Sequence, residues 1–192
     1  IAIQQHIGRS SSKFMSPEMN DFAEFVHRLT DNARGSLQQA DMMAQTLGSA
    51  YIGTEHLLLG VLSQSDSVGA KLLMDSGVNL ERAQVALKLT PKNLVVSAGS
   101  RGLSETAKLT LRMSWNVAQE FNQDFCGTEH ILYSILTQKN ARATVLLRDM
   151  NVNVEEVVGE LENYLARQNF EYDAAEGVGT KPKRGRGGAL GT

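Results

Sequence analysis

Cysteine is almost absent from this chain. Its 192 residues include one, Cys126, so no internal disulfide can form and a reducing, cytoplasmic setting is expected. Only three prolines interrupt the sequence, and aromatic residues make up 6% of it, which leaves long stretches free to be helical. No apolar run approaches the roughly 18 to 20 residues needed to cross a bilayer as a helix. The opening IAIQQHIGRSSSKF also lacks the apolar stretch and small-residue cleavage site of a secretory signal, so no membrane association is expected. An excess of one charge is missing too. Nineteen Lys and Arg against 21 Asp and Glu give a formal charge of −2, with no general attraction for nucleic acid or anionic lipid. The basic run Lys181, Lys183, Arg184 and Arg186 therefore reads as a solvated linker, not a nucleic-acid contact.

Several kinds of chemistry are excluded as well. No G-x-x-x-x-G-K-[ST] occurs, so no nucleotide cofactor is expected in this stretch, and any ATP-driven motor would lie beyond Thr192. The histidines His6, His27, His56 and His130 make neither an H-E-x-x-H motif nor a zinc spacing. Glu55 with His56, and Glu129 with His130, are adjacent pairs, and adjacent helical side chains point about 100° apart, which does not make a chelate. No Ser-His-Asp or Cys-His arrangement is supported by spacing, so the chain is expected to bind, not to catalyse. Cys126 is expected to be a small, partly buried hydrophobe, and Trp115 and Phe121 to be packing residues.

What the sequence does contain is 42% apolar residues, enough for a core, and an internal repeat. YIGTEHLLLGVL at Tyr51 to Leu62 returns as FCGTEHILYSIL at Phe125 to Leu136, with Glu129 lying 74 residues after Glu55. The register holds without gaps, pairing Leu29, Thr30 and Asp31 with Leu103, Ser104 and Glu105, Leu37 with Leu111, and Leu72 and Leu73 with Leu146 and Leu147. Each copy reads as four helices. Ala33, Leu37, Ala40, Ala44 and Leu47 line one face of the first, which Thr30 caps and Gly48 closes; Ser104 and Glu105 repeat that start. Thr54 and Thr128 are expected to cap a buried second helix. A third helix, near Ser67 to Ser76 and Ala141 to Met150, should end at Gly77 in one copy and Asn151 in the other, the residue types that best tolerate positive φ. The fourth runs near Leu80 to Leu89 and Val154 to Ala166. The expected fold is thus all-α, with two pseudo-twofold four-helix repeats in one body. Its core is led by Leu37, Leu58, Leu62, Leu72, Leu111, Leu132, Leu136 and Leu146. The expected divisions are an N-terminal extension at 1–24, repeat one at 25–90, a linker at 91–102 around Pro91 and SAGSRG, repeat two at 103–166, and a flexible Gly-rich, charged tail at 167–192.

The paired GTEH motifs, each followed by an apolar helix, resemble the double Clp N-terminal repeat of ClpC-type AAA+ unfoldases over residues 25–166. YIGTEHLLLGVL and SVGAKLL match that pattern closely. The second copy departs from it, lacking the glycine after the leucines and carrying NARATVLL in place of a glycine-containing loop. The resemblance implies a substrate- and adaptor-recognition domain for protein quality control and regulated proteolysis. Its implied partners are protein substrates, MecA-like adaptors and, through the parent unfoldase, a ClpP-type protease, with ATP bound only by the parent's motor modules. A free-standing Clp-repeat adaptor without its own motor is the alternative. The resemblance further implies a phosphoarginine pocket, in which exposed carboxylates of Glu55 and Glu129 read the guanidinium and the helix starts at Thr30 and Ser104 contact the phosphate. Thr30 is grouped with Glu55, and Ser104 with Glu129, in a weaker second site. The residues alone allow a plainer role, in which Glu55 and Glu129 complement helix dipoles and the rings of half-buried His56 and His130 bond nearby backbone.

Overall fold

The computed structural model describes residues 24–88 and 102–177. A helical turn at 24–27 leads into α1 (Asp31–Thr46), α2 (Thr54–Ser63), α3 (Val68–Asp75) and α4 (Leu80–Lys88); the second copy supplies α5 (Glu105–Glu120), α6 (Thr128–Leu136), α7 (Arg142–Asp149) and α8 (Val154–Gly177). No strand occurs among the described residues.

The ends of the helices follow from their sequence. The Thr30 hydroxyl accepts the Ala33 N–H at 3.1 Å to open α1, and the Ser104 hydroxyl accepts the Ala107 N–H at 3.0 Å to open α5. Behind these helices the backbone turns through positive φ at Gly48 (71°) and Asn122 (58°), which are 74 residues apart, and it does so again after α3 and α7 at Gly77 (90°) and Asn151 (64°). Each pair has glycine in the first copy and asparagine in the second, so the left-handed closure survives the change of residue.

The copies are joined by exchange. Leu29 forms a parallel β-bridge with Cys126, and Ile52 forms one with Leu103, so the approach to each first helix pairs with the approach to the other copy's second helix. The backbone bonds repeat the symmetry: Thr30 N–H to Cys126 O (2.9 Å) and Cys126 N–H to Arg28 O (2.7 Å) on one side, Ser104 N–H to Ile52 O and Ile52 N–H to Gly102 O (both 2.9 Å) on the other. Around these bridges α2 and α6 form a shared centre, with Leu57, Leu58, Leu59, Ile131, Leu132 and Ile135 essentially without exposure. Every residue of α2 from Thr54 to Leu62 is buried, as its unbroken apolar character predicts. Gly60 lets α1 approach closely, because a Cβ there would overlap the Ser36 carbonyl; the second copy has buried Ser134 at this place.

Four expectations are corrected. Leu72 is only partly buried, and its neighbour Leu73 is the core residue, because α3 turns that side chain inward; the other seven expected core leucines are buried. The fourth helix of the second copy continues past Ala166 to Gly177, since no Gly or Pro interrupts it between Gly159 and Gly177. Cys126 is wholly buried, not partly. The N-caps of α2 and α6 are Gly53 and Gly127, not Thr54 and Thr128. Trp115 packs against the core, with its ring edge-on to Phe25 at 6.3 Å between centroids, and Phe121 caps the end of α5. Nearly all of the expected extension, 1–23, most of the linker and the tail from 178 lie outside the described residues.

Because each copy's bridge residues and central helix are covered by the other, residues 103–177 expressed alone should not melt cooperatively, since a fragment of that size would expose one face of α6 to water. Circular-dichroism melting of this fragment beside the full chain checks the expectation, and an equally hot, equally sharp transition would contradict it.

Candidate functional site

The four letters of GTEH divide their work across the two copies. Glycine comes first because the glutamate two residues later folds back over it: a Cβ on Gly53 would collide with Glu55 Oε1, and one on Gly127 would lie 2.5 Å from Glu129 Oε1. Histidine closes its own helix start, with His56 Nδ1 accepting the Gly53 N–H and His130 Nδ1 accepting the Gly127 N–H, each at 2.9 Å. The plainer reading of both rings holds here, although they are buried, not half-buried. Threonine works on the other copy. Thr54 Oγ1 accepts the Ala143 N–H at the start of α7 (3.2 Å), and Thr128 Oγ1 accepts the Gly69 N–H at the start of α3 (3.0 Å). In α3 this supplements Ser67, whose hydroxyl accepts the Ala70 N–H, whereas the corresponding N-cap of α7 is Ala141, with no side-chain acceptor of its own.

The glutamates are placed differently from the expected exposed carboxylates. The Glu55 side chain is 7% exposed; its Oε2 pairs with Arg142 Nε at 3.2 Å, and its Oε1 is buried with no hydrogen-bond partner. Arg142 stands 74 residues after Val68, so the first copy has no cation to offer Glu129 at the equivalent place. Among the described residues Glu129 has no ion-pair partner, and it is half-buried. Burial pushes its carboxyl above the usual carboxylate range, with a bond from its own backbone N–H pulling it partly back. Burial also lowers His130 to about 4, with Nε2 unpartnered, and raises the Cys126 thiol far above its ordinary range, the Glu129 charge adding to that effect, so the thiol is inert.

Glu55 lines a cavity of about 200 Å³ between the copies, walled by Leu87 of α4, by Asn140, and by Arg142, Leu146 and Asp149 of α7. The helix starts join these loops crosswise. Thr30 is bonded to Cys126, three residues before Glu129, and Ser104 to Ile52, three before Glu55. The expected groupings are therefore exchanged: Ser104 belongs with the Glu55 loop and Thr30 with the Glu129 loop. Sequence reasoning missed Arg142, Asn140 and Asp149. The signal was present at Arg142, a charged residue in register with apolar Val68. No group of three or more His, Cys, Asp or Glu among the described residues could hold a metal ion, and no described helix is long and apolar enough to cross a membrane.

Two consecutive matches to the Clp repeat (R) N-terminal domain cover residues 28–102 and 102–185. Among curated proteins, the chain is 25% identical over 158 residues to the chloroplastic ClpA homolog of Solanum lycopersicum, an ATP-binding subunit of the ATP-dependent Clp protease. That match covers 82% of this chain and 17% of the relative. It is 27% identical over 127 residues to the ClpC subunit of Staphylococcus epidermidis, covering 66% of this chain and 16% of that one. The chain thus spans about a sixth of the length of these relatives. In fold it is similar to the N-terminal domain of ClpD from Arabidopsis thaliana (TM-score 0.63, 19% identity, covering 73% of this chain and 96% of that one). It is likewise similar to a ClpV N-domain solved in complex with a VipB peptide (TM-score 0.59, 17% identity, covering 74% and 90%).

Two outcomes follow from this geometry. Thr54→Ala should lower stability by about 0.5–2 kcal/mol, as loss of a helix cap does, and Thr128→Ala by less, because Ser67 still serves α3; Thr54→Ser should restore most of the loss. Urea denaturation of the three variants measures this. The second concerns pH. A histidine whose folded pKa is depressed opposes folding once the unfolded chain takes up a proton, so His130 removes stability as pH falls from about 6.5 towards about 4. Glu129, shifted upward, has the opposite slope at the acid end of that window. His130→Gln keeps an acceptor for Gly127 and removes the titration, so its unfolding free energy should fall less than the wild type's between pH 7 and pH 5, measured by denaturant unfolding at each pH.

Proposed function

Because the chain belongs to the Clp repeat N-terminal domain family, we propose that it is the substrate- and adaptor-recognition domain of a ClpC-like ATP-dependent unfoldase in the cytoplasm, and that its two GTEH loops read phosphoarginine on protein substrates. In this reading its partners are phosphoarginine-bearing proteins and MecA-like adaptors, and a ClpP-type protease receives what the parent unfoldase delivers. The chemistry of the ligand sets the requirement. Phosphoarginine carries a planar cationic fork and an anionic group within one side chain, so its site needs a carboxylate and a helix N-terminus close together.

The observation that carries the reading is the crossed bridging. It brings the N-cap of α5, at Ser104, to the loop bearing Glu55, and the N-cap of α1, at Thr30, to the loop bearing Glu129, so each loop has a carboxylate and another copy's helix start. The ClpV N-domain solved with a VipB peptide supports peptide binding on this fold.

Calorimetric titration with phosphoarginine, arginine and phosphoserine tests the proposal. Phosphoarginine alone should bind, and replacing both Glu55 and Glu129 by Gln should weaken binding at least roughly tenfold, since a hydrogen bond to a charged group contributes about 1.5–3 kcal/mol. Equal affinity for arginine and phosphoarginine, or no loss in the double variant, would leave the glutamates only their structural role.

A further inference from the structure

The two GTEH loops are copies of one another, yet their carboxylates are in different states. Glu55 already holds a guanidinium, that of Arg142, at 3.2 Å. Glu129 holds none among the described residues, because the residue in register with Arg142 is Val68. We propose that Arg142 is a resident guanidinium that masks Glu55, leaving the Glu129 loop as the open site and making Arg142 the residue that decides which of the two loops accepts a guanidinium-bearing ligand. This rests on the reading that these glutamates recognise a guanidinium, and it reverses the order expected from the motifs, where the first copy matches the family pattern more closely.

Three features support masking over a merely structural ion pair. The Arg142 side chain is 45% exposed, so its guanidinium can leave for water, whereas Glu55 beneath it is 7% exposed and cannot. Glu55 Oε1 has no partner, so the pair leaves half of the carboxylate's hydrogen-bonding capacity unused. The pair itself lines the cavity of about 200 Å³, whose wall adds the carboxylate of Asp149 and the amide of Asn140 to the apolar side chains of Leu87 and Leu146. With Glu55 and Asp149 against Arg142, that wall is net acidic and suits a cation once Arg142 swings out. An arginine tethered at the first position of α7 competes at a high effective concentration, so a free ligand must displace it before binding.

The probe is N-methylguanidinium, a guanidinium without a phosphate, followed by amide chemical shifts in two-dimensional NMR. In the wild type it should shift Gly127 and Glu129, with little effect at Gly53 and Glu55; Glu129→Gln should abolish the response and Glu55→Gln should preserve it. Arg142→Val, the residue the first copy carries, should open the second site, with Gly53 and Glu55 responding at least roughly tenfold more tightly than in the wild type. Arg142→Gln serves as a milder variant if the valine form is unstable. If Gly53 and Glu55 respond no more tightly in the Arg142 variants, or if Glu55→Gln abolishes wild-type binding while Glu129→Gln does not, masking is wrong. If methylguanidinium follows the expected pattern but phosphoarginine binds no form of the protein, the masking stands and the phosphoarginine reading falls.

Discussion

The structure depends on the reciprocal completion of helix starts across the pseudo-twofold. A helix begins with backbone N–H groups that have no partner within it, and when that end is buried something else must accept from them. Here the acceptor at α7 is a threonine of the first copy, and the one at α3 includes a threonine of the second. The two β-bridges extend the same exchange to the chain leading into each helix pair. Neither copy satisfies its own backbone alone, so the surface between them is continuous with the core.

That dependence explains why the candidate sites lie where they do. The loops carrying Glu55 and Glu129 are held by the bridges at one end and by the His56 and His130 rings at the other, so the carboxylates sit on backbone fixed by packing. Burying a carboxylate is costly unless the charge is matched or the proton retained. The two copies take different courses. Glu55 is matched by Arg142, while Glu129 remains unmatched with its proton affinity raised by burial. The two copies of one motif thus differ in electrostatic character, and at the register position that pairs with Glu55 the second copy carries Arg142 where the first carries Val68.

Much of this was legible in the sequence, for local reasons. The N-caps at Thr30 and Ser104, the left-handed closures at Gly77 and Asn151 and the apolar run of α2 are set by residues within a turn or two of one another, and the gapless 74-residue offset between the two GTEH motifs is read by direct comparison of the two copies. Thr54 and Thr128 show the limit of such reasoning. A threonine ahead of an apolar helix reads as that helix's own cap, yet the Thr54 hydroxyl serves an amide 89 residues away, and Gly53 stands at the cap because Glu55 needs the space. The same limit hid the partner of Glu55. Composition and periodicity determined that the chain is a helical duplication with two matching glutamate loops, because these follow from spacing along the chain. Which helix each threonine caps, which loop each helix start faces and which glutamate is already paired were decided only by tertiary packing, because each requires atoms from the two copies to meet across the pseudo-twofold, and spacing along one strand of sequence carries no information about that meeting.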